Sequence, residues 1–302
     1  MPHGTHNALP DDRNEHILIS VNGELFPRQE AKVSVFDSGY LVGDGVWEAF
    51  RLHHGQLVFI EEHLKRLWWG AETIGLELPF NKSELKQQIR AVIEANQMSD
   101  GVHIRLMVTR GNKKTPSQDP RLTISPPNVV IIPEYKSASQ EKGISLYTAS
   151  IRRAGEDFLD ARLNCHSKLH EVIALNQALN VGADEALMLD PHGYVATCNA
   201  TNFFIVTKGE VWTSQGKYCM NGITRSKVIE LCQSNNISCK QRDFTLDDVY
   251  NADQAFVTGT FGGLTSVHTV DNRPITNRGI DLVSQLRTLY ASLIQQEIKH
   301  EQ

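Results

Sequence analysis

Residues 134–143, EYKSASQEKG, divide the chain. The stretch is polar and flexible in composition, and it follows one apolar, strand-like run, NVVIIPEY, and precedes another, GISLYTASI. A chain interrupted in this way folds as two packed bodies, and 302 residues are enough for two ordinary domains. The pattern predicts a polar arm over residues 1–16, a smaller α+β domain over 17–136 and a larger α+β domain over 137–302.

Strand-like and helical patterns alternate on both sides. ILISVNGELF reads as two strands about an Asn-Gly turn, and AKVSVFDSG as a third strand. QLVFIEEHLKRLWWGAETIGL passes from strand to helix, with Ile60, Leu64, Leu67, Trp68 and Ala71 at helical spacing. SELKQQIRAVIEANQ is a second helix with Ser83 as its cap. VHIRLMVTRG and NVVIIPEY are strands, joined by GNKKTPSQDPRLTISPP, a polar loop of a length that often carries function. Past the divide come the strand GISLYTASI, the helix SKLHEVIALNQAL and the strands EALMLD and FFIVTKGEVWTS. The helix TRSKVIELCQSNN, the short helix TLDDVYNA, the strands QAFVTGT and LTSVHTV, and a helix from about residue 279 complete the chain.

Composition narrows the function. A hydrophobic content of 40% fits a globular core, and a net charge of −5 argues against a surface built for nucleic acid or anionic membrane. Apolar runs such as NVVIIP are too short to span a bilayer, and the polar first residues lack the apolar core of a leader, so the expected location is cytoplasmic. Five cysteines without CxxC spacing argue against a disulfide framework or a Cys-rich zinc site.

Four short motifs are suited to chemistry, and each also has a plain structural reading. NGITR opens a helix, whose unpaired amides and dipole favour an anion; the plain reading is a Thr cap. FVTGTFGG ends an apolar strand in hydroxyls and amides that suit a phosphate, without matching a nucleotide-binding fingerprint. EEHLKRL carries Arg66, which alone would be a solvated charge. LNCHSKLHE holds Lys168 between His166 and His170, but the glutamate an HExxH zinc site needs is absent, since Ser167 stands in its place.

The succession VSVFDSGYLVGDGVWEAFR, EEHLKRL, VTRG, GADEALMLD–GYVATCNATNFF, NGITR and FVTGTFGGLTSV, over about residues 17–290, resembles the class IV aminotransferases. These are pyridoxal 5′-phosphate enzymes of fold type IV, including branched-chain and D-amino acid aminotransferases and aminodeoxychorismate lyases. The resemblance implies a small and a large α+β domain with the cofactor between them, and a homodimer in which a loop of one subunit reaches the other's pocket. It implies that Arg66, Gly222, Ile223, Thr224, Thr260 and the Phe261 amide hold the cofactor phosphate. It places Tyr40, Val42, Trp47, Arg51 and Arg105 toward the substrate, with Val42 where many relatives have an aromatic ring. An arginine, a helix start and hydroxyls are also what a dianionic phosphate requires.

The chain departs from the family's pattern twice. Counted back without gaps from GADEALMLD, the family lysine falls on Leu163 or Asn164, and Lys168 stands about one helical turn onward. No other lysine lies in this segment, so Lys168 is expected to be the Schiff-base lysine, its long stem covering the displacement. At Thr197 relatives carry a glutamate against the pyridine nitrogen; a neutral hydroxyl there is expected to leave that nitrogen less protonated.

The expected function is pyridoxal-phosphate-dependent transfer of an amino group from a small or branched aliphatic amino acid to a 2-oxo acid. The rivals are a lyase of the aminodeoxychorismate type, a cofactor-binding homologue with little catalysis, and a zinc hydrolase built on His166 and His170.

Overall fold

The computed structural model describes residues 10–136, 143–155, 158–276 and 278–300. Most of the arm and most of the polar stretch read as a linker lie outside them. The described residues form two compact units: 10–136 with Asn164–Ser167 and 297–300, and 143–163 with Lys168–Gln296.

In the first unit the Asn-Gly turn forms as expected, with φ of 55° at Asn22 and 87° at Gly23, between β1 (Leu18–Val21) and β2 (Glu24–Pro27). Next come α1 (Ser38–Val42), β3 (Gly45–His53), β4 (Gln56–Leu57), α2 (Ile60–Thr73), α3 (Lys82–Ala95), β5 (Val102–Thr109) and β6 (Asn128–Tyr135). The sheet runs β2-β1-β6-β5-β3-β4, every pair antiparallel. Val46, Phe50 and Leu52 alternate along β3 and bury one face with Leu64 and Leu67 of α2 and Leu85 and Ile89 of α3.

Two local expectations fail. AKVSVFDSG is not a strand, because Asp37 ends it: its Oδ1 accepts from the Gly39 and Tyr40 amides and its Oδ2 from Thr109 Oγ1 and Asn128 Nδ2, so the backbone turns into α1. The cap of α3 is Asn81, in a reciprocal capping box with Glu84, and Ser83 is already helical.

The second unit contains β7 (Ile144–Thr148), α4 (Leu169–Asn180), β8 (Glu185–Leu189), β9 (Val195–Cys198), β10 (Asn202–Thr207), β11 (Glu210–Thr213), α5 (Ile223–Ser234), β12 (Cys239–Gln241), α6 (Leu246–Tyr250), β13 (Gln254–Gly259), β14 (Gly263–Val270), β15 (Arg273–Pro274) and, as far as Gln296, α7 (Leu282–His300). Its sheet runs β12-β11-β10-β13-β14-β7-β8-β9, with β15 on β14. It is mixed, with β12 parallel to β11 and β7 parallel to both β14 and β8. Thr197 on β9 and Asn202 at the start of β10 are buried, and Asn202 Nδ2 donates to the Met220 carbonyl just before α5.

Candidate active site

In the first unit, Arg66 is not a solvated charge. Its Nε and Nη2 donate to the two carboxylate oxygens of Glu48 at 2.7 and 2.8 Å, and His63 Nδ1 lies 2.7 Å from Glu48 Oε2. Glu48 is fully buried on the core face of β3, and His63 and Arg66 reach it from α2. Burial alone would raise the Glu48 carboxyl; the Arg66 charge and hydrogen bonds, with His63, outweigh it and hold the group at about 2.

The opposite face of the same sheet carries the residues expected near the substrate. Trp47 and Arg51 alternate along β3, and Arg105 sits across from Ala49. The Arg105 guanidinium stacks 4.0 Å over the Trp47 ring. Burial lowers the Arg105 pKa, with the Glu134 charge opposing. Tyr40 and Val42 are exposed on α1. Gly43 caps that helix at a φ of 71°, a conformation that favours glycine, and a Cβ there would also push against Ser167 Oγ, 2.6 Å away.

Asn164, one of the two positions where the family lysine falls by count, is buried and laced to β3. Its Nδ2 donates to the Trp47 carbonyl at 2.7 Å, and its own carbonyl accepts from the Trp47 amide at 2.9 Å. Trp47 Nε1 donates to the Cys165 carbonyl at 3.0 Å.

In the second unit, Lys168 is the N-cap residue of α4. Its Nζ lies 3.4 Å from Glu171 Oε1, and its side chain is 24% exposed. The same oxygen accepts from Nη1 of the buried Arg153 at 2.6 Å. Arg153 Nη1 also lies 2.8 Å from His170 Nε2; since a guanidinium only donates, that nitrogen accepts, and burial pushes the imidazole pKa down. With Nε2 occupied in this way, His170 does not offer it to a metal. Among the described residues, the ligand atoms of His53, His54 and Asp100 lie within 4.8 Å of one another, in the first unit.

The NGITR motif opens α5 as expected, but the cap is Gly222, with no side-chain cap bond, and Thr224 stands in the first turn. A Cβ at Gly222 would fall 2.3 Å from Asn202 Oδ1, so a larger residue there would have to displace the Asn202 amide. Thr224 is buried with its Oγ1 3.5 Å from the Tyr290 hydroxyl. Arg225, beside it, turns away: its Nη2 donates to the Ser214 carbonyl and to Gln241. Thr260 and Phe261 form the turn after β13, and two residues earlier the buried Thr258 Oγ1 has no hydrogen-bond partner in the protein. Thr197, on β9, is buried; its Oγ1 donates to the Thr201 carbonyl at 2.8 Å and accepts from Asn202 Nδ2 at 3.4 Å.

Glu48, His63, Glu171, Arg153 and Asn202 were not singled out from the sequence. The clearest missed signal is Glu48, a carboxylate in register with Val46, Phe50 and Leu52 on the core face of a strand, where it requires a cation.

The sequence pattern of the Amino-transferase class IV family matches residues 45–270, and the chain belongs to that family. It is 36% identical over 289 residues to branched-chain-amino-acid aminotransferase-like protein 1 of Arabidopsis thaliana, covering 95% of this chain and 52% of that protein. The chain thus spans about half the length of this relative. It is 31% identical to the D-alanine aminotransferase of Bacillus licheniformis, over 85% of this chain and 89% of that one. A branched-chain amino acid aminotransferase from T.th., solved in complex with N-(5′-phosphopyridoxyl)-L-glutamate, superposes with a TM-score of 0.86 at 28% identity, over 94% of this chain and 95% of that chain. The fold is therefore the α+β, fold type IV arrangement of those enzymes.

Class IV aminotransferases use pyridoxal 5′-phosphate. The residues of the second unit fit its phosphate: a helix start capped by a glycine without a side-chain bond, and a buried hydroxyl without a partner, are an anion's hydrogen-bond donors. Among the described residues no helix is long and apolar enough to cross a membrane.

Proposed function

We propose that this chain uses pyridoxal 5′-phosphate to transfer an amino group from a small or branched aliphatic amino acid to a 2-oxo acid, with Lys168 as the Schiff-base lysine. The observation that carries the reading is the start of α5, where Gly222, Ile223 and Thr224 present amides and a hydroxyl, on a chain of the class IV family. Arg66, Thr260 and the Phe261 amide complete the phosphate ligands, and Thr197 meets the ring nitrogen. When bound, the cofactor supplies an electron-withdrawing ring that acidifies the substrate Cα–H. Lys168 Nζ serves as general base and then general acid for that proton. Arg51 and Arg105 take carboxylate oxygens of the substrate, Tyr40 and Trp47 wall its side chain, and Val42 leaves more room than an aromatic ring would.

The proposal includes a cytoplasmic homodimer. All five cysteines are free thiols, which suits a reducing compartment. Leu169, Val172 and Ile173 form an exposed apolar stripe on α4, as a face covered by a second subunit would.

The test is the visible spectrum of the purified protein before and after a panel of amino donors. A yellow protein whose band converts to that of the amine form with small aliphatic donors supports the reading. Pyruvate release without an amino acceptor would indicate the lyase, and a bound cofactor that no donor converts would leave a binding protein.

A further inference from the structure

We infer that the Thr201 carbonyl and the Asn202 amide fix Thr197 as a hydrogen-bond acceptor toward the bound ring, so that this chain meets the ring nitrogen in its N–H form with a neutral oxygen. The inference rests on the reading above, that the chain binds pyridoxal 5′-phosphate with Thr197 at the ring nitrogen.

A hydroxyl has one proton and two lone pairs. The Thr201 carbonyl, 2.8 Å from Thr197 Oγ1, can only accept, so the Thr197 proton is committed there. Asn202 Nδ2, 3.4 Å away, can only donate, and it takes one lone pair. One lone pair remains. A pyridine nitrogen without its proton would set lone pair against lone pair, whereas the N–H form makes a hydrogen bond.

The arrangement cannot easily rotate out of this state. The Thr201 carbonyl also accepts from the Cys198 amide at 2.9 Å, and Thr201 Oγ1 donates to the buried Glu185 at 2.8 Å, so the acceptor that takes the Thr197 proton is held on both sides. Thr197 and Asn202 are 5% and 6% exposed, which keeps competing water away. Asn202 Nδ2 further donates to the Met220 carbonyl at 2.9 Å, and its Oδ1 fills the space where a Cβ on Gly222 would sit. One amide thus ties Thr197 to the turn that opens α5, and Asn202 is a positioning residue for both.

On this inference the nitrogen keeps its proton, where the sequence alone predicts less protonation. A neutral acceptor holds the N–H less firmly than a carboxylate would, since charge-assisted hydrogen bonds are roughly twice as strong as neutral ones. It still selects that form over the unprotonated one.

The experiment loads the full chain with pyridoxal 5′-phosphate labelled with nitrogen-15 in the ring and records the nitrogen resonance at neutral pH. The parent is expected at the pyridinium position. Thr197→Val keeps the shape and removes the acceptor, and should move the resonance toward the pyridine position; Thr197→Ser should restore it. Asn202→Asp removes the donor and should raise the cofactor dissociation constant about tenfold, the scale of one lost hydrogen bond. If Thr197→Val does not fold, Asn202→Asp carries the test: an unchanged dissociation constant overturns the inference. So does a parent resonance at the pyridine position, or one that Thr197→Val leaves in place. A parent that binds no cofactor overturns the proposed function as well.

Discussion

Arg66 and Lys168 are both basic residues in short helical motifs, and the fold treats them in opposite ways. Arg66 is clamped through two nitrogens to a carboxylate with no solvent exposure, which His63 also holds. Lys168 keeps about a quarter of its side chain in solvent, and the carboxylate 3.4 Å from its Nζ is already held at 2.6 Å by Arg153. A group that binds a fixed anion gains from being held before the ligand arrives, since little conformational freedom is then lost on binding. A group that must bond, release and carry a proton needs a stem that can move. The difference matches the roles proposed for the two residues.

Glu48→Gln should break the first cluster most severely. It leaves Arg66 without its buried counter-charge, and should lower unfolding stability by about 3–5 kcal/mol in denaturant titration. Lys168→Ala should cost less than about 1 kcal/mol in the same titration, because a long, partly exposed ion pair is weak. Equal losses would mean the two clusters are alike.

Acid should remove the stabilisation that the Glu48 carboxylate contributes. Its folded-state pKa, about 2, lies below the ordinary 4.5. The stabilisation is therefore complete above about pH 4.5 and is lost as pH falls toward 2, a contribution of about 3 kcal/mol. The stability gap between the parent and Glu48→Gln should narrow over that window, and a gap that persists at pH 2 would assign the loss to packing instead of charge.

Arg66→Ala should weaken pyridoxal-phosphate binding by about 2 kcal/mol, the scale of a charge-assisted contact. Direct titration of the folded variant separates this from the stability it also loses by stranding Glu48. Unchanged affinity would place the phosphate elsewhere.

The smallest effect expected is spectral. Thr197→Glu should strengthen the hold on the ring N–H and shift the bound cofactor's absorbance, at some cost from a new buried carboxylate. An identical spectrum and pH titration would mean that Thr197 is not at the ring nitrogen.

Much of this architecture was legible in the sequence because period and turn chemistry are local. The Asn22-Gly23 hairpin, the helix around Leu64 and Leu67 and the glycine-led start of α5 all follow from a few adjacent residues. AKVSVFDSG misled because alternating apolar residues imitate a strand, while the turn is imposed by Thr109 and Asn128, which gather on Asp37 from distant parts of the chain. The supporting shell was hidden for the same reason. Glu48 is 18 residues from Arg66, and Arg153 is 18 from Glu171, so each pair becomes visible only when the chain is folded. A carboxylate on the core face of a strand is the one such partner that the pattern alone exposes.

The most direct test of the assignment of Lys168 is chemical. Borohydride reduction of the cofactor-loaded protein, followed by peptide mapping, should place the whole adduct on the peptide that contains Lys168, and Lys168→Ala should bind cofactor through its phosphate without forming any adduct. An adduct on another lysine, or a loaded parent protein that yields none, would contradict the account.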